Sequence, residues 1–287
     1  MVSRVDVAIH TEALLGEGPR WDGASKRLLW VDIEGRALHV FDPASGQDRA
    51  IPVWSRIGTA AWTTTPGVVL VALADRLALL DLAGESVTTL VEIPHPGHMR
   101  LNDGACDSAG RFWVGSMALA ETPGLAALYR YADGRLERLL DGVSLSNGIG
   151  WSPDGTRMYY IDSLTYQVDV FDYDGELSER RRFAAVDRGA GTPDGLAVDD
   201  EGGVWVALHG GGAVRRYAND GVLDRVIDLP AANVTSCCFG GDDGHLLFIT
   251  TAAPDGRVFV TDAGVGGPPA QPFRSTAPSD AEATSAR

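Results

Sequence analysis

Apolar strands return along this chain at a nearly constant interval, and that interval constrains the fold more than any other feature. They read LLWVDI (28–33), VVLVAL (68–73), RFWVGSM (111–117), RMYYIDS (157–163), GVWVALHG (203–210) and HLLFITT (245–251). Measured from Trp30 through Leu70, Trp113, Tyr159 and Trp205 to Leu247, the steps are 40, 43, 46, 46 and 42 residues. A unit of that length cannot bury its apolar face alone and must stack on copies of itself. Several short strands per unit at this spacing specify the blades of a propeller.

The same grammar recurs inside each unit. An inner segment such as GPRWD, DGACD, NGIGW or DGLAVD leads into a polar turn (DGASK, DSAG, SPDG or DDEGG) before the marker strand returns. Those turns carry the glycine and aspartate chemistry of tight hairpins. A third strand follows, for example ALHVFD, RLALLDL or QVDVFDYD, alternating apolar and polar residues as a half-buried outer strand should. Helical periodicity is nearly absent. The expected class is all-β, a six-bladed β-propeller over residues 1–262 with a central metal site, in which residues of roughly 3–10 add the strand that closes the ring. Beyond it, GVGGPPAQPFRSTAPSDAEATSAR offers little apolar surface, so residues 263–287 are expected as a disordered tail.

A net charge of −15 excludes a nucleic-acid partner, which demands a basic footprint. No apolar run approaches the ~20 residues that span a bilayer, and MVSRVDVAIH lacks the parts of a signal peptide. Cys106, Cys237 and Cys238 form neither an even framework nor a Cys-x-x-Cys pair. Reduced, buried thiols and a cytoplasmic location follow as expectations. Oligomeric state has no signature in the sequence.

Four acid-or-amide–glycine pairs open inner strands: Glu17-Gly18, Asp103-Gly104, Asn147-Gly148 and Asp194-Gly195. Equivalent positions of a radial fold converge on one axis, so these residues meet although they are distant in sequence. The same dipeptides serve as ordinary turns elsewhere, at Asp133-Gly134 and Asp154-Gly155 among others, but there they occupy another register. The ends of second strands reach the same face with Asp32, Met117, Asp162 and His209. Glu17 and Asp194 close together would repel unless a cation neutralised them. Two carboxylates and an amide oxygen are hard ligands, suited to Ca²⁺, Mg²⁺ or Mn²⁺, with Zn²⁺ or Fe²⁺ less favoured. Arg100 can fork onto a polar substrate and Asn102 can both donate and accept. No nucleophile elbow, phosphate loop or dinucleotide fingerprint is present.

The stretches LGEGPRWD (15–22), RLNDGACDSAGRFWVGSM (100–117), LSNGIGWSPDGTRMYYIDS (145–163) and TPDGLAVDDEGGVWVAL (192–208) together resemble the regucalcin/gluconolactonase/luciferin-regenerating-enzyme family of six-bladed propellers. The resemblance runs in order to about residue 262. It implies a lactone hydrolase with one divalent cation on Glu17, Asn147 and Asp194, and substrate contacts from Arg100 and Asn102. Family members often carry an acid three residues beyond the methionine of GSM; that position is Ala120 here, with Glu121 next. His209 stands where an aromatic residue is common.

The expected function is therefore metal-dependent opening of a small, sugar-derived lactone to its hydroxy acid. Asp194 serves as general base, with Asp103 as its understudy and as a substrate contact, and His209, Met117 and Glu121 line the pocket. The alternatives are a hydrolase or isomerase of a specialised metabolite on the same site, and a calcium-binding or interaction propeller without catalysis.

Overall fold

The structure, a computed structural model, describes residues 4–274. Six four-stranded antiparallel sheets stand around one axis. Their inner strands are Gly16–Asp22, Ile57–Trp62, Met99–Cys106, Ser146–Trp151, Thr192–Val198 and Val234–Gly240, and these number blades one to six. Blade six takes its fourth strand from the other end of the chain, where Asp6–Ile9 pairs antiparallel with Val258–Asp262. The expected six-bladed propeller and its closing strand are both present.

Each marker strand is the second of its blade. Its side chains are buried on both faces, because neighbouring blades pack against it from either side. Trp30, Trp113 and Trp205 are fully buried in this way. Their indole N–H groups still need partners, and an aspartate supplies one each time: Asp48 for Trp30, Asp107 for Trp113 and Asp199 for Trp205. Asp199 also accepts from the backbone N–H groups of Glu201 and Gly203 and from Arg216 Nε. One carboxylate thus ties hairpin, core tryptophan and third strand together.

Two expectations need correction. The third strands are not outermost: a further strand flanks each, as Gln47–Pro52 does in blade one and Leu177–Ala185 in blade four. These edge strands are mostly exposed and therefore show no apolar alternation. Nor is the chain free beyond residue 262. Residues 263–274 run as a strap beneath the ring, with Ala263, Val265 and Phe273 buried. Backbone bonds join it to five blades in turn, through Asp200, Gly244, Trp21, Trp62 and Gly110. Three buried apolar side chains and main-chain bonding hold it, and main-chain bonding leaves no trace in composition. Residues 275–287 lie outside the described range. The strap roofs a lower cavity of about 310 Å³ walled by Trp151, Leu196, Cys237 and Phe239. All three cysteines are buried and unpaired. No helix among the described residues is long and apolar enough to cross a membrane.

Candidate active site

The upper face, where inner strands begin and second strands end, opens on a cavity of about 300 Å³. What aims side chains into it is a defect repeated in every inner strand. Pairing with the second strand slips between Glu17 and Arg20, Leu101 and Gly104, Ser146 and Ile149, and Pro193 and Leu196. A bulge bends its strand and redirects the residue it leaves unpaired. Glu17, Asn102, Asp103, Asn147 and Asp194 all stand at these slips. The glycines that follow have two reasons to be there. Gly18 sits at φ +53°, which disfavours any side chain. A Cβ on Gly195 would lie 2.1 Å from Ser236 Oγ, so the inner strands of blades five and six could not approach.

Glu17 of blade one, Asn147 of blade four and Asp194 of blade five all line the cavity and are almost wholly buried. Burial above all, with help from Asp103, pushes the Glu17 carboxyl up to about 8, against the opposing pull of the Gly18 N–H and of Arg20 and Arg100. Asp194 is likewise held well above the carboxylate range by burial and by Glu17 and Asp103. The pair therefore resists being ionised together.

A polar relay backs this pair. Arg100 donates from Nη1 to Asn102 Oδ1. Asn102 Nδ2 donates to Asn147 Oδ1 at 2.8 Å, and Asn147 Nδ2 to Ser163 Oγ at 2.8 Å. The relay fixes which end of the Asn147 amide is oxygen. That oxygen keeps a second lone pair for another partner. Arg100 is 5 % exposed rather than a surface residue, and burial lowers its guanidinium to about 10 despite Glu17.

Met117, Glu121 and His209 line the cavity, with Glu121 and His209 exposed at its rim. Burial lowers the His209 imidazole, and Glu121 pulls the other way. Asp103 departs from expectation. Its carboxylate accepts from Arg20 NH2 at 3.0 Å and from the Gly104 N–H at 2.8 Å, and it does not line the cavity. It acts on Glu17 and Asp194 through its charge alone. Asp32 and Asp162 are also diverted. Asp32 accepts from the Leu14, Leu15 and Gly35 N–H groups, and Asp162 from those of Ser144 and Leu145.

Sequence reasoning missed Leu15, Ile33, Leu145, Leu164, Tyr166 and Thr192, which complete the wall. Four of them lie within one residue of an inner-strand start or a second-strand end, so extending the register by a single position would have found them.

The donor set fits a hard divalent ion. Two buried carboxyls that repel when both are ionised, and a fixed amide oxygen, offer hard donors to one cavity. Among the described residues no cluster of three or more His, Cys, Asp or Glu side chains has metal-holding geometry; this trio has only two acids, and its third donor is Asn147.

Residues 15–253 match the family profile described as SMP-30/Gluconolactonase/LRE-like region. The chain belongs to that family. Among relatives of this SMP-30/gluconolactonase chain, the regucalcin of Danio rerio is 38 % identical over 87 % of this chain and 86 % of its own. The L-arabinolactonase of Azospirillum brasilense is 38 % identical over 89 % and 83 % respectively. The crystal structure of a calcium-binding protein, regucalcin, from Agrobacterium tumefaciens superposes with a TM-score of 0.91 at 29 % identity, covering 95 % of this chain and 98 % of that one.

Proposed function

We propose that the protein is a divalent-cation-dependent hydrolase that opens small lactones, sugar-derived ones among them, with Glu17, Asn147 and Asp194 holding the ion. One observation carries the reading: two buried carboxyls and a fixed amide from blades one, four and five meet in one cavity, in a family whose members include a lactonase. When bound, a divalent ion there supplies the positive charge that keeps both carboxyls ionised, polarises a lactone carbonyl and offsets charge on its oxygen. Calcium is the first candidate, since two relatives carry the name regucalcin.

The residues divide the remaining work. Asp194 takes a proton from water as that water's oxygen attacks the carbonyl carbon, then returns it to the ring oxygen as the ring C–O bond breaks. Lactone and water are thereby converted to one hydroxy acid with no atom unaccounted for. Arg100 orients substrate oxygens, and Asn102, held between Arg100 and Asn147, fixes the Asn147 amide. Asp103 is paired with Arg20 outside the cavity lining and is not assigned the base's part.

The test is a pH-indicator assay of glucono- and arabinolactone with chelated enzyme and after return of calcium, magnesium, manganese or zinc. Turnover that needs the ion and is lost in Asp194→Ala supports the reading. Full activity in chelator or in that variant overturns it. A calcium-raised melting temperature without turnover of any lactone would favour the second reading, a calcium-binding propeller, which the calcium-binding relative supports.

A further inference from the structure

We infer that the lactone this site prefers carries an apolar arm, an alkyl or aryl substituent on its ring, rather than a full set of hydroxyls. The inference rests on the lactone-opening reading above and concerns the half of the cavity that reading leaves unused.

Above the polar floor the wall is hydrocarbon. Leu15, Leu145 and Leu164 are half-buried and line the cavity, with Ile33 and Met117 behind them. Their positions are set by the scaffold. Leu15 and Leu145 each immediately precede an inner strand, and Leu164 lies on the short 3₁₀ turn Ser163–Thr165 that follows the second strand of blade four. Tyr166 ends that turn in the left-handed region, φ 55°, a conformation that a non-glycine residue holds at some cost. The Arg188 guanidinium stacks 4.1 Å from its ring centre, and its hydroxyl pairs with Thr192 Oγ1 at 3.3 Å.

Much of the polar lining is engaged within the protein, and Arg100, which bonds Leu101 O and Asn102 Oδ1 through Nη1, is the donor left to meet substrate oxygens on the floor. Asn102 spends its oxygen on Arg100 and its nitrogen on Ser146 O and Asn147. Ser163 accepts from Asn147, and Tyr166 and Thr192 bond to each other. Among the described residues, Glu121 and His209 remain at the rim, where their charges couple. A hydroxyl pressed against this wall would be buried without a partner, lowering kcat/KM by about 5- to 150-fold each. A methylene in the same place would gain. The upper face continues the theme outward, with Leu14 and Leu119 exposed beside the cavity's own Leu15 and Met117.

The experiment compares kcat/KM for δ-valerolactone, δ-hexalactone, δ-octalactone and δ-decalactone with that for glucono-1,5-lactone, in one pH-indicator assay with calcium or manganese present. Transfer of each methylene from water onto such a wall predicts about a fourfold rise per carbon until the wall is covered. Alkyl lactones should then overtake gluconolactone, and Leu164→Ser and Leu145→Ser should each flatten the slope with chain length. Because the slope is a ratio within one preparation, partial unfolding of a variant does not mimic the effect. A flat series with gluconolactone fastest overturns the apolar arm and leaves the lactonase reading standing. A slope unaltered in both serine variants overturns the assignment to this wall. Failure to open any lactone overturns both readings together.

Discussion

Glu17→Gln should weaken the fall of stability with rising pH that the cation-free protein inherits from its own site. In the folded, cation-free protein, Glu17 is lifted from 4.5 to about 8, chiefly by burial, so it stays protonated at neutral pH. In the unfolded chain it ionises near its ordinary value. A raised folded pKa contributes stability that is complete below about pH 4.5 and lost as pH climbs toward about 8. At pH 7 the loss is about 3 kcal/mol, or roughly 10 °C of melting temperature for a chain of this size. Asp194 shifts in the same direction and steepens the fall. Glutamine has the shape of the protonated acid and can still accept from the Gly18 N–H, but it cannot ionise, and it relieves Asp194 of a like charge. Thermal melts in chelator from about pH 5 to about pH 8 should therefore show variant and wild type together at the acid end, with the variant increasingly ahead above it. Excess calcium should close or invert that gap by stabilising the ionised wild type. Parallel melting curves in chelator would refute the reasoning, because they would mean that Glu17 carries no unmet charge in the fold.

Asp194→Ala should abolish calcium-dependent thermal stabilisation and lower kcat/KM on the order of 10³-fold, read by calorimetry and by the pH-indicator assay on the same sample. Asp199→Ala, far from the upper cavity, should cost about 1–3 kcal/mol for each donor it leaves unpaired, Arg216 Nε and the Trp205 indole N–H, while Arg216 keeps Glu201 and Asp224; urea unfolding measures this, and activity per folded molecule should not change. Ending the chain after Asp262 removes buried Val265 and Phe273 and should destabilise by about 3–6 kcal/mol at ~1.5–3 each, a loss visible as a lower urea midpoint. Asp103→Asn should leave more turnover than Asp194→Ala does, since its carboxylate touches Arg20 and not the cavity.

The ring was legible because its repeat is written in buried residues. Trp30, Trp113 and Trp205 mark the same layer in three blades, and burial on both faces forces apolar side chains there. The edge strands were not, since Leu177–Ala185 faces solvent with SERRR and obeys no alternation. Glu17, Asn147 and Asp194 could be picked out by register, but the bulges that turn them inward are a property of the pairing, and no residue type announces them. Asp32 and Asp162 show the limit of such reasoning. They share the register of the pocket wall, yet neighbouring backbone N–H groups claim their carboxylates. The aliphatic wall escaped notice because a leucine beside a strand end looks like any core residue until the cavity is seen.

The sixth blade, made from both ends of the chain, orders events during synthesis. Until Val258–Asp262 has left the ribosome, Asp6–Ile9 has no edge to join, and blades one and six cannot meet. Glu17 lies on the first blade, Asp194 on the fifth, so their oxygens come together only once the circle is sealed. On the proposed reading, a chain whose ring is still open offers a cation only part of its donor set, so cation capture would report that the circle has closed.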